Sequence, residues 1–291
     1  MTWSLFRWVW RLESPIHVGI PPAGSLDRCR LFLPARNLWA ALTAELARED
    51  MGEAPENLDK YREIGQELQR SCRFSNLYPS VKFKEGWKAW LPCFEKGEGL
   101  CWRRELSIEI PPMPHTAFRG KLLDARPGTA IDPVTDSAAE RSLHETEVIN
   151  PWWRGSQRRK AEPVAMVGYL FCRNQSTYND LSRVSLLYMG GDIRYGLGKL
   201  VRVHMEKTER FFEYNVRLDQ DDPQVFSDVI LAHTEANANN DWICGSQERL
   251  GGWDGGKPIH VANTYFWTPG SKLASEKWHE IRNDGTWCTL L

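Results

Sequence analysis

Short runs rich in aromatic and β-branched residues, interleaved with segments whose apolar residues recur at helical spacing, predict an α+β chain with helices laid on one face of a sheet. Three segments carry this expectation: the aromatic run Trp3 to Glu13, the stripe Leu38, Leu42 and Leu46, and the nearly continuous apolar run Val164 to Arg173. The 291 residues exceed the usual size of one domain, so one enlarged domain or two small ones are expected.

Trp3 to Glu13 alternates in part, which suits an opening strand with one buried face. Ser14, Pro15 and the stretch Gly19 to Gly24 end it in a loop. A short strand is expected at Arg28 to Leu33. Pro34 follows, at the first turn of a helix over 35–49, where its missing N–H costs nothing. Leu58, Tyr61, Ile64 and Leu68 mark a second helix with a charged outer face. Pro79 to Gly99 reads as irregular, with Trp87 and Trp90 embedded in it, and Leu100 to Ile110 reads as a strand. Pro111 to Pro114 opens a polar excursion, residues 115–162, with few apolar residues in any regular period. Such excursions inside a folded chain are functional or disordered. Beyond the strand at Val164, Asn179 to Met189 reads as a short helix or turn feeding a glycine loop, Gly190 to Gly198, and Leu200 to Met205 is a further strand. Residues 207–291 carry apolar segments of their own and are expected to form a smaller C-terminal lobe.

Composition removes several classes. A chain with 42% hydrophobic and 26% charged residues is ordinary globular material, so it is expected to fold. Its apolar runs fall far short of the ~20 residues of a membrane helix. The N-terminus lacks the layout of a signal peptide, so a cytosolic protein is expected. Cys29, Cys72, Cys93, Cys101, Cys172, Cys244 and Cys288 include no C-x-x-C pair, which argues against a zinc ribbon and a disulfide framework and leaves buried thiols. The net charge is −1, so any polyanion site has to arise from local clustering. The 14 tryptophans offer stacking surfaces for bases or sugars, though most are expected in the core.

Two clusters carry chemistry. In the loop Gly190 to Lys199, glycines at 190, 191, 196 and 198 clear side chains from the main-chain N–H groups, Arg194 and Lys199 supply cations, and Tyr195 offers a stacking ring. A single-stranded RNA backbone fits such a loop, and a tight helix-to-strand connection is the plain alternative. A dinucleotide fingerprint is excluded by Val201, which stands where glycine or alanine is required. The excursion supplies the second cluster: Arg119, Lys121, Arg126, Arg154, Arg158, Arg159 and Lys160, with Trp152 and Trp153 before the final basic group. Phosphate contacts beside stacking rings fix a bent single strand. Six interspersed carboxylates, from Asp124 to Glu147, leave a solvated charged loop as the alternative. His17, His115 and His144 are candidates for acid–base chemistry on a 2′-hydroxyl, without any residue pinned to them as a partner. Gly251 to Lys257 has the spacing of a phosphate-binding loop, but Pro258 stands where Ser or Thr must hold magnesium, so a turn is expected.

The segment GGDIRYGLGKL at 190–200 resembles the glycine-rich loop of the RAMP superfamily of CRISPR proteins. Ser14 to Gly19 followed by Leu33 to Leu42 is similar to that family's opening strand, polar turn and helix entry, with Ala40 where a glycine is common. Arg126 to Asn150 resembles its hairpin. The resemblance spans most of residues 3–206. It implies a ferredoxin-like, RNA-recognition-type β-α-β domain over 1–206, with a long hairpin insertion at about 111–162. Residues 207–291 would then be the smaller C-terminal lobe or a second, degenerate half. It further implies a guide-RNA-binding, non-enzymatic subunit that needs no cofactor or metal and whose partners are guide RNA and other effector subunits, especially a backbone subunit. The late glycine loop, the lobe after it and the Pro269-Gly-Ser271 turn favour the branch that caps the guide's 5′ tag. The backbone branch along the spacer and a metal-independent endoribonuclease stay open, as does, outside the family, a Trp-rich carbohydrate module. The resemblance also brings His17 and Arg36 into the RNA-binding set, beside the two clusters.

Overall fold

A computed structural model describes residues 2–52, 58–83, 86–107, 109–155, 161–236, 242–254, 257–259 and 264–290. The elements that position the site are, in chain order, β1 (Ser4–Leu12), α1 (Ala35–Met51), α2 (Leu58–Ser71), β2 (Cys72–Phe74), β3 (Tyr78–Phe83), β4 (Gly86–Glu95), β5 (Gly99–Arg104), α3 (His115–Leu122), β6 (Leu123–Gly128), β7 (His144–Ile149), β8 (Glu162–Cys172), α4 (Gln175–Arg183), β9 (Leu186–Tyr188) and β10 (Lys199–Thr208). The chain is α+β.

Strand β1 is the centre of the main sheet. It pairs antiparallel with β8 on one side and with β10 on the other, and β8 pairs in turn with β2 and β3. The middle of the sheet therefore reads β10-β1-β8-β3, every neighbour antiparallel, and β4 and β5 extend it beyond β3. Two strand–helix–strand passages interleave here: β1 passes through α1 and α2 to β2, and β8 passes through α4 to β10. Leu5, Trp8 and Trp10 of β1 are fully buried, as is the run Val164 to Val167 of β8, because strands enclosed on both faces need no polar face. One charged pair is enclosed with them. Arg7 donates to both carboxylate oxygens of Glu105, at 2.7 and 3.1 Å, and to the Tyr169 hydroxyl at 3.0 Å, while Glu105 also accepts the Ala89 N–H at 2.7 Å. Each charge is neutralised and hydrogen-bonded, which is the condition for burying it.

Helix α1 starts after Pro34 and stops at Gly52, whose φ of +69° lets its N–H cap the Arg48 carbonyl. Helix α4 is capped by Asn174, whose side chain accepts the Ser176 N–H. The segment after β10 builds a second sheet, with Gln224–Val229 and Lys272–Ile281 paired antiparallel and Trp287–Thr289 beside them. The two sheets share one apolar core. Phe211 packs with tilted rings between Tyr169, at a centroid distance of 4.8 Å, and Trp287, at 5.8 Å. Tyr78 and Asn76 both donate to the Leu231 carbonyl.

Several expectations are corrected. Pro79 to Gly99 is not irregular: it contains β3 and β4. Arg28 to Leu33 is not a continuous strand, since only Cys29 and Leu33 make isolated bridges, to Gly19 and Leu77. The strand expected at Leu100 to Ile110 stops at Arg104, and Leu106 turns with φ +54°. Among its described residues the excursion forms α3 and the β6–β7 hairpin. Asn179 to Met189 splits into the end of α4 and β9. No described helix is long and apolar enough to cross a membrane.

Candidate nucleic-acid interface

The glycine loop is a tight crossing from β9 to β10. Gly190 lies at φ +95° and Gly198 at φ +80°. A Cβ would stand 2.4 Å from the His17 carbonyl oxygen at the first and 2.2 Å from the Met189 carbonyl oxygen at the second, so both positions need glycine. Between them Asp192, at φ +56°, starts a single 3-10 turn over Ile193–Tyr195. The turn carries Arg194 and Tyr195 out of the fold, and Tyr195 is 83% exposed.

The loop's amides are largely spent inside the protein. Gly191 N–H donates to the His17 carbonyl at 2.9 Å, Gly198 N–H to Pro15 at 2.8 Å, Tyr195 N–H to Asp192 at 2.9 Å and Gly196 N–H to Ile193 at 3.0 Å. Lys199 N–H donates to the Ser14 hydroxyl at 2.9 Å. Gly190, Gly191 and Gly198 shape the crossing, and the exposed turn between them presents the Arg194 and Tyr195 side chains.

Residues 14–19 bracket this loop against the excursion. Ile16 and Ile149 exchange backbone hydrogen bonds at 3.0 and 2.8 Å, which docks β7 on the turn after β1. His17 bridges to Gly191 on one side and donates from Nδ1 to the Glu147 carbonyl at 2.7 Å on the other. A carbonyl only accepts, so in the neutral ring Nε2 holds the lone pair. The Glu147 carboxylate accepts the Cys29 N–H at 2.9 Å and pairs with Arg119 of α3. Burial would raise this carboxyl, but the Cys29 amide, Arg119 and Arg28 hold it below its ordinary range. Burial, and then the charges of Arg119 and Arg28, hold His115 below the usual imidazole range. Its Nδ1 accepts the Trp102 indole N–H at 3.1 Å, so its proton sits on Nε2.

The structure thus brings His17, Gly190, Gly191, Arg119 and the base of the hairpin into one connected patch. Lys121 is half-buried on the last turn of α3, and Arg126 is exposed on β6 opposite Thr146. Arg154 is exposed but pairs with Asp124 at 2.8 Å. Among the described residues, Lys121, Arg126, Arg194 and Lys199 have no ion-pair partner, which leaves them available to phosphate. Two expected residues do not join. Trp153 is stacked on Trp90, 6.0 Å away at 9°, and edge-on to Phe118, so it packs in the core, and the exposed ring is its neighbour Trp152. Arg36 donates across the molecule to the Gly251 carbonyl, in the second sheet's region. Arg158, Arg159 and Lys160 lie outside the described residues. Arg28 was not expected here. It arrives because Leu26–Asp27 pairs parallel with Glu145–Thr146, a contact across more than a hundred positions that no local pattern announces. The hairpin ends in an apolar tip, with Val134 89% exposed beside Ile131.

No family model matches the sequence, and no curated protein matches it. Among solved structures, the fold is similar to that of a chain in the cryo-EM structure of the Type III-B Cmr-beta bound to cognate target RNA and AMPPnP, with a TM-score of 0.54 and 10% identity over 92% of this chain and 85% of that one. It is also similar to a chain in the cryo-EM structure of the Type III-B Cmr-beta bound to cognate target RNA, with a TM-score of 0.50 and 11% identity over 92% and 86%. At such identities the likeness is one of fold.

Proposed function

We propose that this chain is a non-catalytic, guide-RNA-binding subunit of a CRISPR ribonucleoprotein effector, built on a ferredoxin-like domain. The interleaved strand order β10-β1-β8-β3 supports the ferredoxin-like reading. The fold it shares with chains of RNA-bound Type III-B Cmr-beta assemblies supports the setting. The observation that carries the proposal is the exposed turn bearing Arg194 and Tyr195, held by His17 against a hairpin whose Arg126 has no ion-pair partner among the described residues. A cation and a free ring on a rigid loop are the elements of single-strand binding: phosphate neutralisation plus base stacking. The position of the loop late in the domain, with a further sheet after it, favours the cap over the guide's 5′ tag rather than a place along the spacer.

Filter binding of a guide RNA tests this reading. Arg194→Glu and Tyr195→Ala each weaken binding at least tenfold with the fold intact. Log affinity falls with log salt by about 0.7 per phosphate contact, and the slope of Arg194→Glu is shallower by about one contact. Unchanged affinity in both variants, or a flat salt response, would contradict it. One observation favours a second reading, metal-independent RNA cleavage: the Nδ1 contact to the Glu147 carbonyl leaves the Nε2 lone pair of the neutral His17 ring without a role in that bond, the atom a general base would use. Incubation with labelled repeat RNA in EDTA separates the two, since a discrete product arises only from an enzyme.

A further inference from the structure

All seven thiols are free, and two pairs of them stand opposite each other on antiparallel strands: Cys72 with Cys172, and Cys93 with Cys101. The hydrogen-bond ladders distinguish the pairs. Between β2 and β8, Arg173 N–H donates to the Ser71 carbonyl at 3.1 Å, and Ser75 N–H donates to Tyr169 at 3.0 Å. Those positions are the hydrogen-bonded ones, so by alternation Cys72 and Cys172 occupy a non-hydrogen-bonded position, where facing side chains come closest and Cα atoms approach to about 4.5 Å. That separation falls within the range a disulfide spans, roughly 4.4–6.8 Å. The two sulfurs are 3.7 Å apart, with the Cys72 S–H donating to Cys172. Between β4 and β5, Glu105 N–H donates to the Ala89 carbonyl at 2.9 Å, which puts Cys93 and Cys101 at a hydrogen-bonded position. There the Cys101 sulfur turns to the Glu98 carboxylate, 3.9 Å away.

The surroundings of the first pair favour attack from Cys172. The hydrogen bond from Cys72 lowers the Cys172 thiol below its ordinary value and raises Cys72 above its own. An open surface pocket of about 370 Å³ is lined by Arg70, Ser71, Arg173, Asn174 and Gln175, the residues flanking both cysteines, so solvent reaches the immediate neighbours of the pair.

We propose that Cys72 and Cys172 form an oxidisable dithiol that closes to a disulfide when the protein meets a peroxide. The Cys172 thiolate attacks one peroxide oxygen and the O–O bond breaks, leaving a sulfenic acid on Cys172 and releasing hydroxide, which takes up a proton as water. The Cys72 sulfur, having given up its proton, attacks the sulfenic sulfur. The S–S bond forms, the S–O bond breaks and a second water leaves. Two thiols and one hydrogen peroxide thus become one disulfide and two waters. The bond ties the end of α2 and the approach to α4 to the strand beside β1, and it encloses the whole α3–hairpin region in one covalent loop.

The test treats the full chain with hydrogen peroxide, denatures it, alkylates it with N-ethylmaleimide and weighs it. The adduct count falls from seven to five, a non-reduced digest yields the Cys72–Cys172 peptide pair, and dithiothreitol restores all seven. The oxidised chain melts about 5 °C or more higher, as closing a loop of this size implies. In Cys72→Ser the sulfenic acid on Cys172 persists and is trapped by dimedone; should that variant not fold, the wild-type mass and digest decide alone. Seven adducts after peroxide, or a Cys93–Cys101 bond with Cys72 and Cys172 still alkylated, would overturn the proposal.

Discussion

His279 lies wholly out of solvent in the second sheet. Its Nε2–H donates to the Ser227 carbonyl at 3.0 Å and its Nδ1 accepts the Thr289 hydroxyl at 3.1 Å. Both ring nitrogens are satisfied in the neutral form, and burial pushes the imidazole down to about 4, from an ordinary 6.5. A group depressed in this way binds its proton more readily in the unfolded chain, so its contribution is complete above about pH 6.5 and is lost as the pH falls from 6.5 towards 4. The full loss is on the order of 3 kcal/mol. Urea unfolding across that window checks it: wild type loses stability with acid, and His279→Gln starts less stable but responds with a shallower slope. Equal slopes would place the acid sensitivity elsewhere. At the same scale, Trp153 stood as a candidate contact on residue type and neighbours, and Arg36 on the resemblance of the helix entry. The stacking of Trp153 on Trp90, more than sixty positions away, and the reach of Arg36 to Gly251 are tertiary facts.

Elements were legible where one local signal dominated. Helix α1 showed its leucine stripe, and β1 and β8 their apolar runs. Strand β4 was hidden by Pro92, yet the proline costs the sheet nothing. Pro92 sits opposite Trp102 at a non-hydrogen-bonded position of the β4–β5 ladder, so its nitrogen faces the β3 side, and β3 pairing ends at Ala89. The glycine loop was conspicuous as a cluster, and at Gly190 and Gly198 the glycines serve close approach of backbone to backbone. This close approach has a measurable consequence. Gly198→Ala has to hold φ +80° and relieve a Cβ 2.2 Å from a carbonyl oxygen, so it costs upwards of about 2 kcal/mol. Gly196→Ala, at φ +84° but with no neighbour within 4 Å, costs about 1–2 kcal/mol and spares the crossing. Denaturant melts of the two variants read the contrast, and equal costs would contradict the packing argument.

For the whole molecule, the net charge of −1 conceals a division of labour among its arginines. Arg7 and Arg73 are buried in structural pairs, with Glu105 and Asp222. Arg30, in the segment before α1, pairs with Glu248 of the region after β10, which also accepts from His233 at 2.6 Å. Despite its burial, these partners hold the Glu248 carboxyl down to about 2. Arg126 and Arg194, unpaired among the described residues, face outward near the hairpin and the loop. Only the folded chain sorts the committed arginines from the available ones, which is why the basic clusters were legible and their membership was not. The central claim is that RNA lies across the Arg194–Tyr195 turn and the hairpin that His17 holds beside it. Ultraviolet crosslinking of the full chain to a single-stranded guide RNA, followed by peptide mapping, tests this most directly. Crosslinks are expected on the peptides carrying Tyr195 and the 119–126 region; crosslinks confined to the second sheet, residues 215–289, would rule out RNA at the turn.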